Sequence, residues 1–166
     1  IPGRETEFRE GLDSAIHYAK VLGARWIHPM AGIVGAWDEG VRSTYHANLA
    51  LAIRQAADNG LGTLIEVIGD SEVPGYGMCN FERAEQLIGE PGCESARLIF
   101  DTYHAQNITG DVIGQFKTLK ERIGHIQVAD VPGRHEPGTG AIDFDSFFAE
   151  VDRTAYPGWI GCEYKP

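Results

Sequence analysis

TLIEVI (residues 63–68), RLIFDTYH (97–104), GHIQVAD (124–130) and WIGCEYKP (159–166) are the segments on which the fold turns. Each is a short apolar run of strand character that carries one acid or amide in it or at its end: Glu66, Asp101, Gln127 and Glu163. Carboxylates are almost never left in an apolar setting unless they are paired or bind a metal. The runs recur about one strand–helix unit apart. Oxygen-bearing side chains at matching places on successive strands point to one shared site.

Helical patterns fill the intervals. Phe8, Leu12, Ala15, Ile16, Ala19 and Leu22 fall on one helical face, and Gly23 follows as a stop signal. RWIHPMAG (25–32) then reads as a strand until Pro29. A second helix is expected from about Thr44 to Asn59, with Tyr45, Leu49, Ala52, Ile53 and Ala56 facing inward and Gly60 and Gly62 ending it. Asn80 has the chemistry of an N-cap for a helix carrying Phe81, Ala84, Leu87 and Ile88. Val112, Ile113, Phe116, Leu119 and Ile123 form another helical stripe, closed by Gly124. Asp143 can cap a last helix through Phe144, Phe147, Phe148 and Val151.

Continuous apolar strands alternating with helices predict a parallel sheet with helices outside. A doubly wound sheet would bring a glycine-rich phosphate turn, and neither GxGxxG nor GxxxxGK[ST] occurs. A (β/α)8 barrel instead gathers functional residues at the C-terminal ends of its strands. The placement of Glu66, Asp101, Gln127 and Glu163 favours the barrel. Five strands are legible in the chain, whereas a closed barrel has eight and about 250 residues. The expected fold is therefore a partial (β/α)8 TIM barrel, about the last five βα units, forming one domain over residues 1–166.

The chain has 166 residues, 43% of them hydrophobic, and a net charge of −10. That charge argues against nucleic acid as a partner, because phosphate binding needs clustered Lys and Arg. No apolar run approaches the roughly 20 residues that span a membrane, and the opening IPGRETEFRE lacks the basic-then-apolar pattern of a signal peptide. Cys79, Cys93 and Cys162 form neither a CxxC pair nor a zinc-ligand spacing. They fit reduced thiols in the cytoplasm. The first residue is Ile rather than Met, which fits a fragment or a processed product.

Three carboxylates and an amide oxygen form a hard donor set that suits Mg²⁺ or Mn²⁺. Each acid taken alone could instead cap a helix or pair with an arginine. His104, three residues beyond Asp101 and just past the strand end, is placed to bond a substrate oxygen or move a proton. ADVPGRHEPGTGAIDF (129–144) is a long polar loop after the Gln127 strand, and its glycines and prolines hold an irregular path. In it Arg134 could bind a substrate carboxylate through two parallel hydrogen bonds, with His135 and Glu136 nearby. Glu72 is a weaker loop candidate for substrate contact. Trp26 and Trp37 read as packing residues and His125 as structural. His28 could face the site or simply pack.

FDTYHAQ (100–106), HIQVADVPGRHEPGTG (125–140), GWIGCEYKP (158–166) and the opening IPGRETEFREG (1–11) closely resemble the hydroxypyruvate isomerase family. That family belongs to the xylose-isomerase-like TIM barrels, alongside ketose 3-epimerases, inosose-processing enzymes and endonuclease IV, and its branch includes 2-oxotetronate isomerases. The resemblance covers essentially the whole chain. It implies that three further strand–helix units precede Ile1 and that a short tail follows Pro166. It also implies that Glu66, Asp101, Gln127 and Glu163 are the metal ligands, with Glu66 and Glu163 doubling as the acid–base pair. Glu72 and His104 match substrate-contact positions. VIGDSEVPG (67–75) departs from the usual loop after the glutamate, and Ala141 stands where an acid is common.

The expected activity is the interconversion of hydroxypyruvate and 2-hydroxy-3-oxopropanoate by metal-assisted proton transfer. The alternatives are a 2-oxotetronate isomerase, a ketose 3-epimerase, or an inactive barrel fragment. Such a fragment would leave a sheet edge and an apolar helix face open and so favour homo-oligomers. Endonuclease IV chemistry needs a histidine-rich metal site and a basic surface, and the chain has neither.

Overall fold

In a computed structural model describing residues 1–166, Ile1–Arg97 and Leu98–Pro166 form two compact units. The first is built from α1 (Glu5–Leu22), β1 (Trp26–Ile27), α2 (Glu39–Asp58), β2 (Gly62–Glu66) and α3 (Phe81–Ile88). Leu12, Ile16 and Ala19 recur at helical spacing on α1. They pack with Ile27, Ala52, Ala56 and Leu61 into one core. Gly23, at φ 65°, ends α1 in the left-handed conformation that its missing Cβ allows.

α2 starts five residues earlier than its apolar stripe suggests, at Glu39. The reason is Asp38, whose side chain accepts a hydrogen bond from Val41 N–H at 2.9 Å and caps the helix. β1 is only two residues long, and it runs parallel to β2 with Trp26 beside Gly62. A Cβ on residue 62 would lie 2.2 Å from the Trp26 ring. Gly62 does not end α2, which closes at Asp58 with Asn59 as its cap; it opens β2 and makes room for the indole. Trp37 packs edge-on to Tyr45 and under the Arg83 guanidinium, as a packing tryptophan should.

The second unit holds β3 (Arg97–Asp101), α4 (Thr102–Thr109), α5 (Val112–Leu119), a 3₁₀ turn (Lys120–Arg122), β4 (Ile123–Val128), α6 (Phe144–Arg153) and β5 (Ile160–Cys162). β3 runs parallel to β4, and β4 parallel to β5. Asn80, Asp111 and Asp143 cap α3, α5 and α6 through their side chains. Phe100, Phe116 and Phe147 are fully buried against one another, with ring centroids 5.4 to 6.2 Å apart, and they join β3 to α5 and α6. No helix is long and apolar enough to cross a membrane.

Two expectations fail here. Ile123 is not the last residue of a helical stripe: the 3₁₀ turn ends the helix, and Ile123 opens β4, with Gly124 inside the strand. DTYH is not a strand followed by a loop. α4 begins immediately at Thr102, because Asp101 caps it by accepting from Tyr103 N–H at 2.8 Å. Its short, weakly helix-forming sequence, TYHAQNIT, hid it.

Replacing Phe147 with alanine removes the ring that touches both other members of the buried cluster. The expected loss is about 3–5 kcal/mol of unfolding free energy, measured by urea titration.

Candidate metal and acid–base site

In the first unit Glu66 is the last residue of β2 and is buried. His28 follows β1, and its Nδ1 lies 3.6 Å from Glu66 Oε2. Burial pushes the His28 pKa down to about 4, so the ring is neutral near pH 7. Tyr76 is buried and accepts a hydrogen bond from Ala31 N–H at 3.1 Å. Burial raises its pKa to about 12; the Ala31 bond opposes the rise and the Glu66 charge adds to it. Glu72 stands six residues beyond Glu66, half-buried in a turn where its N–H bonds Gly69 O at 2.9 Å.

In the second unit Asp101 ends β3, and Gln127 sits beside it in register on β4. Glu163 follows β5, its N–H bonded to Val128 O at 3.1 Å. The parallel register thus brings three of the expected ligands to one end of β3, β4 and β5. Asp101 Oδ1 accepts from Tyr103 N–H, while Oδ2 accepts from Arg134 Nη2 at 2.9 Å and lies 3.8 Å from His104 Nε2. Burial pushes the Asp101 pKa up to about 6, against the Arg134 charge and the N–H groups of Tyr103 and His104, with Glu163 adding to the rise. His104 is buried in the first turn of α4, not solvated in a loop.

Burial is uneven across the expected ligands. Glu66 and Asp101 are buried, but the Glu163 side chain is 49% exposed. β5 is a sheet edge that pairs with β4 alone, which leaves its surroundings open. Gln127 Oε1 is buried with no hydrogen-bond partner. An orphaned amide oxygen between two carboxylates is a donor set that suits a hard divalent ion. These residues fit such an ion.

Arg134 reaches this set from the loop after β4. Its Nη2 bonds both Asp101 Oδ2 and Glu163 Oε2 at 2.9 Å, and its Nε bonds Glu163 O at 3.3 Å. The arginine sits at φ 62°, a left-handed backbone that costs a non-glycine residue about 1 kcal/mol. Asp130 holds the loop in that path. Its Oδ1 accepts from Val131 and Ile142 N–H, and its Oδ2 from Gly138 and Gly140 N–H, at 2.8 to 3.0 Å. Burial alone would raise the Asp130 pKa, but these four bonds outweigh it and hold the group below its ordinary value. Gly140 is required: a Cβ there would lie 2.1 Å from Val131 O.

Asp130 and His28 are the residues that sequence reasoning underweighted. The signal for Asp130 is a short acid at a strand end followed by GTG at 138–140, a pattern of backbone donors around an anion. His28 becomes informative only once the β1–β2 pairing sets it beside Glu66.

Residues 1–166 match the family of xylose isomerase-like TIM barrels, and the chain belongs to that family. Its parallel strand pairs and intervening helices are βα units of such a barrel. The chain is 41% identical to the 2-oxo-tetronate isomerase of Cupriavidus necator and 38% identical to the hydroxypyruvate isomerase of Escherichia coli, matching 100% of its own length and 65% of each relative's. It thus spans 65% of the length of these curated relatives. A crystal structure described as an AP endonuclease, family 2, from Brucella melitensis superposes with a TM-score of 0.94 at 34% identity, over 100% of this chain and 65% of that one.

Asp130→Asn places an amide nitrogen against two N–H donors and is expected to cost about 2–3 kcal/mol. The Asp130 contribution is fully present above the unfolded aspartate pKa of about 3.9 and is lost as pH falls through the lower folded value. Wild-type stability, followed by urea titration from pH 7 to pH 3, should carry this acid-sensitive component, and the variant should lack it.

Proposed function

We propose that the chain carries the metal-binding and proton-transfer residues of an isomerase acting on a small hydroxy-oxo acid, with hydroxypyruvate and 2-hydroxy-3-oxopropanoate as the pair interconverted. The observation that carries this reading is the 38–41% identity, along the whole chain, to relatives named as isomerases of such acids. The oxygen-rich strand ends support it. Glu66, Asp101, Gln127 and Glu163 would hold Mg²⁺ or Mn²⁺. When bound, that ion supplies positive charge for the negative charge that builds on the substrate oxygens.

One carboxylate of Glu66 and Glu163 takes a proton from the hydroxyl-bearing carbon. The other returns a proton to the neighbouring carbonyl carbon. The hydroxyl hydrogen passes to the former carbonyl oxygen, a transfer that His104 supports. Atoms balance, and no redox partner is needed. Neutral His28 beside Glu66 can share a hydrogen bond with that carboxylate as its charge changes. Arg134 offers guanidinium N–H groups to the substrate carboxylate, and Glu72 is a further substrate contact. The three cysteines are free thiols, in keeping with a cytoplasmic location.

The 41% identity to the Cupriavidus protein favours a second reading, in which the substrate is a 2-oxo-tetronate. A nucleic-acid substrate, suggested by the description of the Brucella structure, fits poorly with a net charge of −10.

The test is proton NMR in D₂O with Mg²⁺ or Mn²⁺, then with EDTA, on hydroxypyruvate and on 2-oxo-tetronate. Metal-dependent isomerisation or deuterium uptake on one of them is the expected result. Glu163→Gln should lower that rate about 10²–10⁴-fold with an unchanged circular dichroism spectrum. Near-normal turnover in this variant would remove Glu163 from the acid–base pair.

A further inference from the structure

Arg134 is mounted more firmly than a substrate contact requires. Besides its bonds to Asp101 and Glu163, its backbone O accepts from Lys165 N–H at 2.7 Å, and its guanidinium lies 5.3 Å from the Tyr103 ring centroid. The side chain is 16% exposed. A single atom, Nη2, joins two of the carboxylates assigned above to the metal.

The donor atoms are engaged unequally. Gln127 Oε1 is buried with no hydrogen-bond partner. Both Asp101 oxygens are engaged, Oδ1 by the Tyr103 N–H that starts α4 and Oδ2 by Arg134. Oδ1 already serves the helix cap, whereas Oδ2 shares Nη2 with Glu163 Oε2, so Oδ2 is the oxygen placed beside a second carboxylate for a divalent ion. That oxygen is bonded to a fixed positive charge, and like charges about 4 Å apart repel strongly in a partly buried site.

We propose that Arg134 is an internal counter-cation of the Asp101–Glu163 pair, one that a divalent ion must displace. The residue thereby sets how tightly the metal is held. The inference rests on the metal-site reading of the preceding subsection and goes beyond it in making Arg134 a competitor of the ion. Displacement also has a product: Nη2 is released from the carboxylates and joins Nη1 in a planar fork that matches a carboxylate on the substrate. Metal occupancy and capture of an acidic substrate are then coupled through one side chain.

Mn²⁺ binding to the 166-residue chain, read as loss of the free-ion electron paramagnetic resonance signal, tests this without turnover. Arg134→Gln should bind Mn²⁺ at least about tenfold more tightly than wild type, because a repelling charge is gone. Arg134→Gly removes the same charge and suits the left-handed backbone, so it reports even if the glutamine variant does not fold. The two variants should agree. Equal or weaker Mn²⁺ binding by the folded variants, with wild type binding normally, overturns the inference and leaves the metal site standing. Absence of Mn²⁺ binding by wild type and variants alike overturns the metal-site reading, and the inference with it.

Discussion

Asp130 accepts four backbone hydrogen bonds from the loop that follows β4, and that buried anion sets the loop's path. The loop has only single backbone bonds, such as Ala141 N–H to Val131 O, in place of a ladder, so its remaining N–H groups need an acceptor. A buried carboxylate supplies two oxygens, each taking two donors. Gly138, at φ 85°, and Gly140, where no Cβ fits, let the backbone close that tightly. Arg134 is held in a left-handed conformation by the same closure. Its guanidinium then supplies the positive charge that buried Asp101 needs.

The strand ends divide into two chemical settings. Glu66 is faced by a histidine that burial keeps neutral, and by the region of a tyrosine that burial keeps protonated. Asp101 and Glu163 are faced by an arginine that is always charged. One carboxylate therefore stands among neutral hydrogen-bonding groups and two stand against a fixed cation.

Much of this was legible in the sequence, for reasons that can be named. Leu12, Ile16 and Ala19, or Phe144, Phe147 and Val151, repeat at a spacing that only a helix satisfies, and they are buried. The strand-end acids stood out because they interrupt apolar runs. What stayed hidden depended on partners distant in the chain. α4 follows β3 without a break because Asp101 is both a strand end and a cap, two roles that one letter cannot announce. Glu163 looked as embedded as Asp101, but β5 is an edge and its neighbourhood is open. Asp130 showed no periodicity at all; its importance lies in donors eight to twelve residues ahead.

The segment that follows β5 runs alongside the loop instead of leaving it. Glu163 N–H bonds Val128 O, Lys165 N–H bonds Arg134 O, and His135 Nδ1 lies 3.0 Å from Lys165 O. Surface loops ordinarily absorb insertions and deletions because their length has little bearing on anything else. This loop is a ruler. Adding or removing one residue between Val131 and Ala141 would shift the rung on which Arg134 meets Lys165 and move Glu163 relative to Asp101. Among related chains that keep this chemistry, the stretch should accept changes of letter far more readily than changes of count.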